Sequence, residues 1–395
     1  MHYKRSIITT LSDFMSLADE WEALLTATGD WRLFLSHTWL HGWLKLFPPN
    51  HLLVVLVRDE AGRLVGAAPL KISRPPRGSV LRRQLRQVQF IGTDPGVFDY
   101  MDFLIDATAD RTEVVHQIAS AILSYKRHWD LVDLRLVRDR WVLEQLGAVL
   151  ALDVASYEVY QQSVVPYLSL PANLEGYERT VIRGRLRKNL NNVANRLRTD
   201  LPDHDWSLEF ISRPDEIERH LNGMTRRHKA YWLEKGIISD FTQFPDLDLF
   251  YQRMLQAYNA RNTQYSPGRF VLSVLKLEDL VMSYHLGVIN QQGYMGLICT
   301  YYEEFARYKP GFLHFDLLIR SAIARGEQVF EFGQGDEDYK SRWTESSIPL
   351  YSLAAEKTPF VRWVRRMPTV LRQMVVGDAQ KQEELAAAAA ESAET

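Results

Sequence analysis

The stretch that most restricts the fold of this 395-residue chain lies towards its C-terminal end. Tyr308-Lys309-Pro310-Gly311 opens a helical run, and Phe330-Glu331-Phe332-Gly333-Gln334-Gly335-Asp336-Glu337-Asp338-Tyr339-Lys340-Ser341-Arg342-Trp343 follows it. Two glycine-bearing turns therefore bracket one strand–helix–strand unit. Such turns expose backbone N–H donors, and a helix start carries a partial positive charge. The unit is suited to hold an anionic group beside a dense set of ionisable side chains.

The rest of the chain reads as mixed α and β. Apolar spacing predicts a helix from Leu11 to Ala27 and an aromatic one through Trp39, Trp43 and Phe47. Strands are expected at 52–57, 64–72, 88–91, 100–105 and 131–137, with a helix over 111–127, another from Arg140 and a strand at 157–160. The second half repeats this order. It has a strand at 208–211, helices near 215–234 and 245–261, a three-strand meander over 270–301, the helix 312–325, and strands at 329–332 and 350–353. A joint is expected near 164–172, where Pro166 and Pro171 bracket a short segment. The domains are accordingly 1–165, 166–356, and a basic helix with an Ala/Glu-rich tail over 357–395.

Composition limits the function classes. Hydrophobic residues at 46% and aromatics at 11% fit a packed globular protein. A net charge of −2 gives no overall field for DNA. One cysteine, Cys299, leaves no intramolecular disulfide or cysteine-based zinc site and fits a reducing compartment. No apolar run reaches the ~20 residues of a membrane-spanning helix, and the N-terminus does not read as a signal peptide. A cytoplasmic protein without a metal is expected.

Several residues carry chemistry. Lys340 follows three carboxylates at a strand end, a placement that offers a proton acceptor and a charge for a developing oxyanion; a solvated acidic loop is the bland alternative. Segment 179–199 holds seven basic residues and no acid and is expected to form one amphipathic helix, with Ile182, Leu186, Leu190, Val193 and Leu197 as its apolar seam. Phosphate recognition or a solvated face would each suit it. A weaker basic run comprises Lys71, Arg74, Arg77, Arg82, Arg83 and Arg86 on an expected loop. His285 sits in a strand with Ser283 and Gly287 on its face, where a core histidine is the default and a general base the alternative. His37 and His41 read as structural. Segment 361–376 mixes arginines with Trp363, Val364 and Met367, open to a packed helix or to peripheral membrane contact.

The runs Ala306-Arg307-Tyr308-Lys309-Pro310-Gly311, Ala322-Ile323-Ala324-Arg325-Gly326 and Phe332-Gly333-Gln334-Gly335-Asp336-Glu337-Asp338-Tyr339-Lys340-Ser341-Arg342-Trp343 resemble the CelD-like branch of the GNAT acyltransferase superfamily. That branch is associated with cellulose and exopolysaccharide biosynthesis and is related to the FemABX aminoacyl transferases. Arg185-Leu186-Arg187-Lys188-Asn189-Leu190 is similar to the family's basic helix, with Asn191-Asn192 where a further basic pair is usual. The resemblance implies two tandem GNAT-like folds, each a mixed twisted sheet flanked by helices. It implies transfer of an acyl group from acyl-CoA, or from an acyl-carrier protein, to an amine or hydroxyl on a small-molecule or sugar acceptor. Lys340 is expected to stabilise the oxyanion, with Asp336 or Glu337 as proton acceptor. Lys309, Gly311, Phe312, Gly335 and Tyr339 are expected to hold the donor, and Arg187, Lys188, Asn189, His285 and Trp343 the acceptor. The alternatives are an aminoacyl-tRNA-dependent transferase and a non-catalytic subunit of a polysaccharide-synthesis complex.

Overall fold

The computed structural model describes residues 3–29, 33–75, 80–202, 205–260 and 268–366. Arg77, Pro368, Arg372 and the Ala/Glu-rich tail lie outside them. The chain divides into two compact units, Met1–Ser163 with Pro349–Thr395, and Val164–Ile348.

In the first unit, strands β1 (Lys4–Ile8), β2 (His51–Arg58), β3 (Leu64–Ser73) and β4 (Gln87–Phe90) pair antiparallel in that order. The two-residue β5 (Leu104–Ile105) pairs with β3, and β6 (Leu131–Val137) runs parallel to β4. Of the expected strand 100–105, residues 104–105 pair with β3 and Met101 makes a lone parallel bridge to Val137, while the Phe103 amide between them donates to the Asp102 carboxylate. The expected helix 11–27 is two helices, Leu11–Met15 and Ala18–Ala27. Ser16 Oγ donates to the Asp13 carbonyl at the break. Helix His37–Leu46 is capped by Ser36, and its Trp39 and Trp43 are buried. Helices Arg111–Ser124 and Arg140–Leu150 start on the caps Asp110 and Asp139.

Strand β7 (Ser156–Ser169) ends in the second unit. There β8 (Trp206–Ile211), β9 (Arg269–Leu277), β10 (Leu280–Ile289) and β11 (Gly293–Tyr301) form an antiparallel meander. Strand β12 (Val329–Glu331) is parallel to β11 and antiparallel to β7. The helix that joins β11 to β12 is Pro310–Ala324, with proline at its first position, where the missing N–H costs nothing. It buries Phe312, Phe315, Leu318 and Ile319 against Phe330 and Phe332. The final strand, β13 (Ser347–Glu356), pairs with β6 of the first unit through Leu353 and Leu134. Residues 349–366 therefore belong with the first unit, although sequence order groups 350–353 with the second half.

The basic segment 179–199 is not one helix. Leu174–Thr180 and Gly184–Asp200 are separated at Val181, and Gly184 stands at φ +45°. Arg187 stabilises the break, with Nε donating to the Ile182 carbonyl at 2.9 Å and a terminal nitrogen to the Glu178 carbonyl at 2.7 Å. Helix Pro359–Arg366 buries Val361 and Val364 and exposes Phe360 and Trp363. Among the described residues no helix is long and apolar enough to cross a membrane.

Candidate functional site

Strands β11 and β12 pair only from Gly293 with Val329 to Met295 with Glu331. Beyond Met295, β11 continues for six residues with no pairing to β12; the Tyr301 carbonyl accepts from Arg227 Nε at 2.7 Å, and among the described residues that side of 296–300 is an open strand edge. Its pairing with β10 shifts at the same place: Leu286 faces Ile298 but Gly287 faces Gly296, and Leu297 is the extra residue of a bulge. A parallel pair that parts at a bulge leaves an opening lined by unpaired backbone. Cys299 lies on this edge, is exposed, and is hydrogen-bonded by the Tyr339 side chain. Tyr339 is in turn stacked on Phe315 of the helix at 5.5 Å.

Behind the edge lies a buried polar layer. His285 is opposite Cys299 in register, so both side chains point to one face of the sheet. Its Nδ1 is 2.8 Å from the Tyr294 hydroxyl. His314, on the helix, lies between Ser273 Oγ at 2.9 Å and Ser283 Oγ at 2.8 Å. Burial, and secondarily the charge of Lys340, lowers the His285 pKa to about 3, and burial lowers His314 in the same direction. Both rings are neutral at ordinary pH, so they position their neighbours rather than take up protons. Gly296 makes room for this layer, since a Cβ there would come within 2.8 Å of His285 Cε1.

The loop after β12 is folded around Lys340. The ammonium is 2% exposed and reaches the carbonyls of Gly333 at 3.0 Å, Gln334 at 2.6 Å and Gly335 at 3.4 Å, with the Glu337 carboxylate at 2.9 Å. Gly333 and Gly335 take φ of +79° and +107°, which turn these carbonyls inward. An ammonium has three hydrogens, and this loop supplies acceptors for all of them. The lysine thereby fixes the segment that carries Asp336, which is exposed, and Tyr339, which faces the free edge. Trp343 packs into the core, 5.0 Å from the Phe312 ring.

At the helix start, Lys309 is left-handed at φ 47° and its side chain makes no capping bond. Pro310 has no N–H, and the amides of Phe312 and Leu313 both return to the Lys309 carbonyl. The Phe312 amide is thus already paired. Lys309 is exposed, and a Cβ at Gly311 would meet nothing within 4 Å. On helix Gly184–Asp200, Lys188 is exposed and Asn189 half-buried, whereas Arg187 is engaged with backbone carbonyls. The structure gathers Lys340, Glu337, Gly335 and Tyr339 into one loop and sets Cys299 and His285 beside it. The signal for Cys299 was only its β-strand register; as a lone thiol it carried no motif. Among the described residues no group of three His, Cys, Asp or Glu could hold a metal ion.

Residues 184–341 match the family described as the acetyltransferase (GNAT) domain. The second unit has the GNAT fold. FemX is similar in fold at 11% identity and a TM-score of 0.57, over 92% of this chain and 100% of that one. The C-terminal DUF2156 domain of a putative lysylphosphatidylglycerol synthetase from Agrobacterium fabrum is similar at 10% identity and a TM-score of 0.52, over 92% and 98% of the two chains. No protein of the curated set matches the sequence. At these identities the likeness is one of fold.

Proposed function

We propose that the chain transfers an acyl group from a thioester, carried by coenzyme A or by a carrier protein, to an amine or hydroxyl acceptor on a small molecule or sugar. The observation that carries this reading is the edge of β11, open from Gly296 to Thr300, with Cys299 on it and Tyr339 bonded to Cys299. Unpaired backbone of that kind can hydrogen-bond the amides of a pantetheine arm as a further strand would. Lys309 and Gly311 would take the donor's phosphates at the helix start.

With both reactants placed there, the acceptor nitrogen or oxygen attacks the thioester carbon and forms the new acyl bond. Its proton passes to Asp336, and as the carbon–sulfur bond breaks the leaving sulfur takes the Tyr339 hydroxyl proton. Lys340, held by loop carbonyls, keeps Asp336 and Tyr339 in place. Placement of the reactants supplies much of the acceleration. The CelD-like motif supports an acceptor from polysaccharide precursors, and Lys188 offers a charge to an anionic one.

Thermal unfolding with coenzyme A, several acyl-CoAs and charged tRNA tests the donor. A ligand at about a hundred times its dissociation constant adds ~2.7 kcal/mol of stability. Stabilisation by acyl-CoA that Lys309→Glu removes supports the proposal. Stabilisation by charged tRNA alone would replace it with an aminoacyl transferase, and no stabilisation by any of them would leave a carrier-protein donor or a non-catalytic subunit.

A further inference from the structure

The basic run that sequence places on a loop of the first unit is not one surface. Lys71 lies inside β3 and is 2% exposed, whereas Arg86 forms an ion pair with Asp130 at 2.8 Å. Register sets Lys71 opposite Gln89 and Ser73 opposite Gln87, so all four side chains point to one face of β3 and β4. They form a chain of hydrogen bonds: Lys71 Nζ donates to Ser73 Oγ at 3.1 Å, Ser73 to Gln89 Oε1 at 3.0 Å, and Gln89 Nε2 to Gln87 Oε1 at 3.1 Å. Gln87 is fully buried, and its Nε2 has no partner among the described residues. The Trp43 ring covers the ammonium at 4.9 Å.

This arrangement is unbalanced in one direction. A buried ammonium has three donors, and among the described residues Ser73 Oγ is its one hydrogen-bond acceptor. Burial lowers the Lys71 pKa to about 8, with the Asp94 charge acting in the opposite sense. Parallel pairing of β4 with β6 carries the same face on to Asp133, whose carboxylate accepts from Arg135 Nε at 2.9 Å; that guanidinium also feels Asp94. Spare donors, not spare acceptors, are what this face leaves over. A buried donor without a partner costs about 1–3 kcal/mol, and a core built only for stability would use apolar residues here.

We propose that the first unit has its own oxyanion site, in which the spare donors of Lys71, beneath Trp43, and of Gln87 take the oxygens of a carboxylate or phosphate. The site lies wholly in the first unit and does not depend on the donor reading of the second. Its ligand class is a small oxyanion or the oxyanion end of a larger molecule.

Calorimetric titration of the full chain with inorganic phosphate, pyrophosphate and succinate tests this, each repeated on Lys309→Glu so that the helix start of the second unit does not contribute. At least one of the three is expected to bind, phosphates and carboxylate being separated by the arms. Gln87→Glu, which replaces the spare donor by a carboxylate, is expected to weaken binding at least tenfold. Lys71→Met, which removes a buried charge, is expected to fold at least as stably as the parent and to lose binding. Absence of binding by all three, or binding unchanged in Lys71→Met, overturns the site and leaves buried water as the partner of these donors. Neither result bears on acyl-CoA binding by the second unit.

Discussion

Lys340 Nζ lies 2.6 Å from the carbonyl oxygen of Gln334, six residues earlier in the same loop. With Gly333 and Gly335 contributing their carbonyls as well, the lysine acts as the pin of a glycine-hinged turn. The charge that the motif advertises is directed into its own backbone.

The expected consequence is a combined effect on stability and donor binding. Lys340→Met leaves inward carbonyls without a donor and should lower stability by roughly 1–3 kcal/mol. It should also weaken acyl-CoA binding, because Tyr339 is released from the edge of β11. Chemical denaturation and titration calorimetry on one preparation read both. Full stability with lost turnover would instead make Lys340 a group that touches the reacting carbonyl.

The bulge on β11 depends on Gly296. A Cβ there meets His285 Cε1 at 2.8 Å and Nε2 at 3.3 Å, and His285 is buried and held by Tyr294. Gly296→Ala should therefore cost roughly 1–3 kcal/mol as an overpacking change. Gly311 has nothing within 4 Å of its Cβ position, so Gly311→Ala should be neutral or slightly stabilising in the helix. Urea unfolding of the two variants separates them, and equal losses would contradict the packing described.

Acid should destabilise the second unit through its buried histidines, His285 and His314 among them. His285 titrates near 3 in the native state, below the ordinary value of 6.5. Between those values the unfolded chain binds a proton that native His285 does not, so stability falls as pH falls through that window. The slope per histidine reaches ~1.4 kcal/mol per pH unit. His314 acts in the same direction. Unfolding free energies at pH 7 and pH 5 should differ accordingly, and the difference should shrink in His314→Gln. A pH-independent stability over that range would show that the two rings take up protons in the fold as readily as in the unfolded chain.

Much of this architecture was legible because it rests on local signals. The meander 270–301 and the helix after Pro310 follow from period, turn chemistry and a proline at the first helical position. The alternation that set His285 and Ser283 on one face is the face on which His314 packs. What escaped depended on long-range geometry. Arg187 was a plausible phosphate ligand until its guanidinium proved to cap the carbonyls of Glu178 and Ile182 across a helix break. Cys299 gained a role only when β11 parted from β12 beside it. Lys71 looked like one cation of a basic loop, because no local pattern distinguishes a solvated lysine from one buried in β3 under Trp43.

Cys299 is the only cysteine in the chain and sits on the proposed donor edge, so its alkylation reports directly on that site. The measurement is the rate of iodoacetamide modification by intact mass, with and without saturating acetyl-CoA. Alkylation of the free protein that slows at least tenfold with acetyl-CoA, and does not slow in Lys309→Glu, is the predicted result. An alkylation rate unaffected by acetyl-CoA, its hydrolysis product or longer acyl-CoAs would contradict a thioester bound between β11 and β12.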